Sequence, residues 1–492
     1  MLFSSMVFLW CFLPVVILGN HILSIKCNRK NRLRYKNIFL LICSLFFYAW
    51  GGIYYLLIMI FSIGINFLGG FLVDPAKRKP GARKRNLVLV IALNLLVLII
   101  FKYFNMIVAI IENIMETGAG GIVDAMLFME GTGELDLPHI VLPIGISFFT
   151  FQSMSYVIDV YRGDAKLQKR IWDFALYVAF FPQLIAGPIV KYSDIEDQLT
   201  KRSEKFELIA SGQKRFIYGL SKKVIIANTF GDIADKIWAL EIDKLSSPMA
   251  WLGMIAYTIQ IYYDFSGYSD MAIGIGRMLG FNFKENFNYP YTSLSVQDFW
   301  RRWHMSLSTW FKEYVYIPLG GSRRGLAKTC LNVFIVFLLT GIWHGANFTF
   351  IAWGVFYALL LIIERLFLGK LLAKNPVKPI NWAYTIFAVM IAWVFFRSDN
   401  ISQGFTFVTR LFAGSNNTYS VFSYLSMEVM VLFVMAVLFS GLLQRPLIKW
   451  FEKTKEKEGF MYADFAIQMI LLFICILKLI SGTYNAFIYF QF

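Results

Sequence analysis

The sequence predicts an all-α polytopic membrane protein, and three observations carry that prediction. The chain is 58% hydrophobic and 18% aromatic over 492 residues, a composition outside the range of soluble domains. Apolar runs of about 20 residues, the length that crosses a bilayer as a helix, recur from end to end. The runs are continuous rather than alternating, and only helices or closed barrels satisfy backbone polar groups in lipid, so helical spans are the expected form.

The first run reaches from Met1 to about Leu23. No basic residue precedes it and no small-residue cleavage site ends it, which makes it a retained span over residues 2–23. Further spans are expected near residues 37–50, 52–73, 86–111, 140–160, 171–190, 213–230, 250–278, 381–397, 421–443 and 464–488, with one or two more over 328–364. No internal repeat or low-complexity linker interrupts them, so residues 1–492 are expected to form a single membrane-embedded domain. The lack of duplicated halves counts against a secondary transporter, the main rival from another class.

Lys and Arg exceed Asp and Glu to give a formal net charge of +16. The excess sits in short loops between spans, where it sets orientation, and no nucleic-acid-binding motif accompanies it. Residues 26–36 and 77–85 carry six basic residues each and residues 445–457 carry five, which places all three loops on the cytoplasmic side. The segment 191–223 is also rich in basic residues and takes the same side. Residues 112–139 hold six acidic residues and no Lys or Arg, as an exterior loop would. Both termini are then exterior. Five cysteines lie far apart with no metal-ligand spacing, so neither a disulfide framework nor a metal site is expected.

Residues 331–363 contain no charge over 33 positions; as one helix they would reach about 50 Å against a hydrocarbon core of about 30 Å. The stretch must tilt or break, and the break is expected in the GIWHGAN run of residues 341–347, where two glycines relax the backbone. His344 then lies near the membrane interior, with Asn347 as a local hydrogen-bond partner. An ionisable group at that depth marks a functional site, the alternative being an interhelical hydrogen bond. Trp300, His304, Leu307, Phe311 and Tyr314 share one face of an expected amphipathic helix over residues 298–314, either interfacial or lining a funnel. Asp264 and Asp270 are six apart and so off a common helical face; pairing with Arg or backbone donors to fix helix packing is the expected role. The terminal aromatic cluster at 487–492 fits an aromatic belt, or else offers the Tyr489 phenol as a transient acyl acceptor.

Taken together, these residues resemble the membrane-bound O-acyltransferases, and within them the AlgI-like alginate O-acetylation branch. The resemblance covers the whole chain. It is carried by FYAWG at 47–51, LPIGISFFTFQ at 142–152, FFPQLIAGP at 180–188, YDFSGYSD at 263–270, the segment 299–321 and LTGIWHGAN at 339–347. It implies roughly 11–13 transmembrane helices plus re-entrant or interfacial helices around a tunnel, in a bacterial cytoplasmic membrane. The family's signature His matches His344, and its second, less general His matches His304. The terminal FIYF at 487–490 looks like the motif of the small partner used in D-alanylation of teichoic acids, where a Tyr relays the acyl group, which points to Tyr489.

The function so implied is transfer of acetyl from a cytoplasmic donor, acetyl-CoA, toward O-acetylation of an alginate-like polymer, cellulose or peptidoglycan. No permanently bound cofactor or metal is expected. His344 would act as general base, His304, Asn347 or a nearby hydroxyl would orient it or stabilise the oxyanion, and Arg301, Arg302, Arg323 and Arg324 would contact donor phosphates. Expected partners are membrane lipid, the polysaccharide and a secreted acetyltransferase resembling AlgJ or AlgX. D-alanyl transfer to teichoic acid, a transporter and a recruiting scaffold are the rivals.

Overall fold

Apolar sequence runs become helices wherever their polar neighbours can reach an aqueous face or each other. The computed structural model describes residues 1–28, 31–118, 123, 126–127, 140–414, 418–444, 446–447, 450, 458–482 and 484–485, and no strand occurs among them. The main helices are α1 (Leu13–Lys26), α2 (Arg32–Ala49), α3 (Ile53–Val73), α4 (Pro80–Thr117), α5 (Ile146–Arg162), α6 (Ile171–Ala179), α7 (Phe206–Ser221), α8 (Asn228–Trp238) and α9 (Ser247–Met278). They continue with α10 (Val296–Trp300), α11 (Met305–Phe311), α12 (Leu326–His344), α13 (Phe348–Ile363), α14 (Lys378–Arg397), α15 (Met427–Val437) and α16 (Glu458–Ser481). Among the described residues, seven helical segments are long and apolar enough to cross a membrane: Phe8–Lys26, α3, Pro80–Glu116, α12, Phe348–Lys374, α14 and Gly459–Ser481. The chain is a multi-pass membrane protein.

The long helix α9 falls outside that set because it is the centre of the bundle. Gln260, Asp264, Ser266 and Ser269 lower its hydropathy, and all four are buried among neighbouring helices. A helix wrapped in protein can carry such groups, since partners replace the water it lacks. Asp264 pairs with Lys223 at 2.9 Å, and Asp270 with Arg215 and Lys222, each at 2.7 Å. The packing role is as expected and Arg215 is the expected kind of partner, whereas Lys222 and Lys223 stand in place of the expected arginine or backbone donors. The backbones of α7 and α9 come within reach because glycines meet: a Cβ on Gly212 would lie 2.6 Å from the Gly274 carbonyl, and one on Gly219 the same distance from that of Gly267.

Ion pairs gather the basic loops on one face of the bundle: Lys36 with Glu204 at 2.5 Å, Lys284 with Asp194 at 2.5 Å and Lys191 with Glu313 at 2.7 Å. The opposite face carries Asp235 with Arg397 at 2.8 Å and the Ser4 hydroxyl on Asn485 at 2.9 Å.

Three local expectations need correction. The expected span 171–190 is instead α6, a short helix Phe181–Leu184 and an extended run. Pro182 restarts the chain, and Gly187 packs so tightly that a Cβ would meet Gln183 Cα at 2.6 Å. This irregular backbone is tolerated because residues 180–190 are all buried in protein. The helix over 298–314 is broken at His304, which adopts a left-handed conformation with φ 43°. Bonds from Met305 N to Asn286 O (2.9 Å) and from Asn288 N to Arg302 O (2.9 Å) replace the helical ladder there. The single stripe of five residues therefore does not exist. Finally, Gly341 lies inside α12, not at the break; its Cβ would meet the Phe350 carbonyl at 2.3 Å, so it lets α13 approach.

Candidate active site

The α12 helix ends at His344 because the next residue, Gly345, turns extended, and Asn347 starts α13 two residues later. Both ends of the Asn347 amide are engaged there. Its Oδ1 accepts from Thr349 N at 2.9 Å and its Nδ2 donates to the Asp399 carbonyl at 2.6 Å. An N-cap of this kind contributes about 1 kcal/mol. Asn347→Ala is thus expected to lower the thermal unfolding midpoint, while Asn347→Ser, which can still cap, keeps turnover within about twofold. A collapse of turnover in a stable Asn347→Ser protein would assign the side chain a role beyond the cap.

The last carbonyls of α12 are held from α4. Tyr103 Oη donates to the Ile342 carbonyl, and Lys102 Nζ donates to those of Trp343 and, at 3.0 Å, His344. The same ammonium donates to Ser147 Oγ at 3.2 Å. Lys102 was not singled out from the sequence, although a signal existed: it is the one charged residue between Arg85 and Glu112.

His344 forms part of the wall of a cavity of about 270 Å³, together with Lys102, Ser147, Trp343 and residues 141–146. Its ring meets those of Trp353, Phe396 and Trp343 edge-on at 4.9, 5.0 and 5.0 Å. Beyond Trp353 stand Tyr357 at 5.1 Å and Trp300 at 5.7 Å. Trp300 in turn lines a second cavity of about 250 Å³, whose rim carries Arg301, Lys312 and Arg365. The two cavities thus approach the same cluster of rings at successive positions of α12, Thr340 lining the second and His344 the first.

That cluster contains buried polar atoms with no hydrogen-bond partner among the described residues: His344 Nδ1, His304 Nε2, Tyr357 Oη and Nε1 of Trp300, Trp343 and Trp353. Buried polar groups are normally paired, so orphans concentrated between two cavities mark a place built for a polar visitor. His304 stands at its edge, its ring 6.1 Å from that of Trp343 and 4.7 Å from that of Phe265. Its Nδ1 faces Asn286 Oδ1 at 3.3 Å. His304 lies outside the spanning helices, and burial pushes its imidazole down to about 3, so the ring is neutral at pH 7.

Of the four arginines expected to contact donor phosphates, Arg301 lines the second cavity. Arg302 is paired with Asp298 at 2.9 Å, and Arg323 and Arg324 lie in an exposed turn that does not line either cavity. Lys312 and Arg365 supply charge that sequence spacing did not reveal. Arg365 is placed by its neighbour Glu364, whose carboxylate accepts from Val296 N at 2.7 Å and Gln297 N at 2.9 Å and so ties α13 to α10. Tyr489 lies outside the described residues.

Residues 166–401 match the membrane-bound O-acyltransferase family. The chain is 40% identical over all of its length, and all of the relative's, to a probable alginate O-acetylase AlgI of Pseudomonas putida. It is 44% identical to the probable alginate O-acetylase AlgI of Pseudomonas aeruginosa over 84% of this chain and 75% of that one. It is 36% identical to a peptidoglycan O-acetyltransferase of Helicobacter pylori over 82% of this chain and 78% of the relative.

Proposed function

The chain belongs to the membrane-bound O-acyltransferase family, in its AlgI-like branch, and from that premise we propose that it carries an acetyl group across the bilayer for O-acetylation of a cell-surface polysaccharide. The observation that carries the reading is His344: an imidazole with an orphan Nδ1, in the wall of one cavity and a ring's width from residues that line another. The family relatives named for alginate and peptidoglycan O-acetylation support acetyl as the group moved and a polysaccharide as its destination.

The basic loops make the face of Lys36 and Arg215 cytoplasmic, in a bacterial cytoplasmic membrane, with both termini exterior. The donor, acetyl-CoA, enters from that side. Its phosphates meet Arg301, Lys312 and Arg365 at the rim of the second cavity, and its thioester passes the Trp300 and Trp353 rings to reach His344. The acceptor hydroxyl arrives through the other cavity, and His344 takes its proton as it attacks. Loss of a charge-assisted phosphate contact costs about 1.5–3 kcal/mol. Arg301→Gln combined with Arg365→Gln is therefore expected to raise the KM for acetyl-CoA at least about tenfold with little change in kcat. An unchanged KM in initial-rate measurements would place the donor elsewhere.

Tyr489 serves as the acyl relay to a secreted acetyltransferase partner. The described part of the tail is linked to the His344 ring: Tyr484 Oη bonds Asp235 at 2.7 Å, Asp235 pairs with Arg397 at 2.8 Å, and the adjacent Phe396 ring is 5.0 Å from that of His344. Tyr489→Phe keeps the aromatic body and loses the phenol, so polysaccharide acetate in cells is expected to fall to background. Acetate at the unaltered level would return Tyr489 to the aromatic belt.

A further inference from the structure

Acyl transfer through a tetrahedral intermediate requires hydrogen-bond donors where negative charge develops on the carbonyl oxygen. The cavity that His344 lines holds a set of such donors on α5. Gly145 has φ +76°, a conformation that favours glycine, and a Cβ there would meet the Leu184 carbonyl at 2.6 Å. The turn it permits presents the start of α5 to the cavity. In that first turn Ile146 N donates to the Pro143 carbonyl at 3.1 Å, and Phe148 N and Phe149 N both donate to that of Gly145 at 3.0 Å. Ser147 N–H has no partner among the described residues, as the free amides of a helix start do not. Ser147 Oγ accepts from Lys102 at 3.2 Å, which leaves its own O–H proton available.

Two further observations bear on what the cavity can hold, and the second points to a ligand. Lys102 is 8% exposed and is the only Lys or Arg among the described residues lining the cavity. Three acceptors surround its Nζ, as an ammonium with three N–H donors requires. Across the same cavity, His344 is also 8% exposed and its Nδ1 has no partner among the described residues.

We propose that Ser147 and Lys102 form the oxyanion subsite of the transfer. Ser147 donates its N–H and O–H to the carbonyl oxygen of the migrating acetyl group, and Lys102 Nζ, which donates to Ser147 Oγ, holds that hydroxyl with its proton directed at the substrate. The inference rests on the acyl-transfer reading. In the step, a lone pair of the acceptor hydroxyl forms the new C–O bond, the carbonyl π pair moves onto oxygen, and His344 takes the hydroxyl proton. Collapse re-forms the carbonyl and breaks the C–S bond, and the departing thiolate recovers the proton from His344.

The experiment uses full-length protein in lipid with two donors, acetyl-CoA and its dithioester analogue, whose thiocarbonyl sulfur accepts hydrogen bonds poorly. Ser147→Ala is expected to lower kcat for acetyl-CoA by about 10- to 100-fold with KM unchanged. It should also erase most of the unaltered protein's preference for the oxygen donor. Lys102→Gln should act in the same direction. Ser147→Ala leaves the α12 carbonyls bonded to Lys102, so it remains decisive if Lys102→Gln fails to fold. Full turnover in Ser147→Ala, or an equal loss with both donors, overturns the subsite. A lack of label transfer by the unaltered protein overturns the donor reading and the subsite with it; an inactive His344→Ala beside a fully active Ser147→Ala overturns the subsite alone.

Discussion

His344→Ala is expected to lose about 10²- to 10⁴-fold in acyl transfer, the contribution typical of a positioned general base. The loss should fall on kcat, because the base acts on the bound hydroxyl and does not hold the donor. The ring also packs against Trp343, Trp353 and Phe396, so alanine would open a void. His344→Gln fills more of that space while offering no base, and it should be as inactive as the alanine variant yet unfold closer to the unaltered protein. Radiolabelled acetyl-CoA supplied to each purified variant in lipid reads both. Turnover of His344→Gln near the unaltered rate would remove the base assignment, whatever its stability.

The largest effect on stability is expected at the centre of the bundle. Asp264 is 0% and Lys223 3% exposed in their side chains, and they lie 2.9 Å apart between α9 and the turn that follows α7. Removing one member of such a pair leaves a buried charge without its counter-charge, which costs about 3–5 kcal/mol. Replacing both with apolar residues of similar size is often close to neutral. Asp264→Leu alone should therefore unfold at a much lower temperature, and the double variant Asp264→Leu with Lys223→Met should recover most of the loss. Single and double variants that unfold together would show that the pair is not coupled.

Hydropathy and loop charge made the helical membrane class and the break beside His344 legible, since both follow from contiguous residues. The aspartate pairs were legible in kind, because charges inside an apolar run must find partners. What the chain concealed depends on residues far apart in sequence. The left-handed turn at His304 is imposed by Asn286, which a periodicity argument along one segment cannot contain. Lys102 reaches the end of α12 across 242 positions, and its meaning rests on the helix end it meets. Arg365 gained a place in the second cavity because Glu364 fastens α13 to α10, a contact that only folding creates.

Sealed vesicles holding the protein in one orientation allow labelled acetyl-CoA to be supplied at the basic face alone. An impermeant hydroxylamine is then confined to the other compartment to capture any acetyl ester that emerges there. Transfer through His344 predicts labelled hydroxamate on the far side, coenzyme A retained on the near side, and no product with His344→Ala. Label released only on the donor side, or acetyl-CoA itself crossing intact, would contradict it.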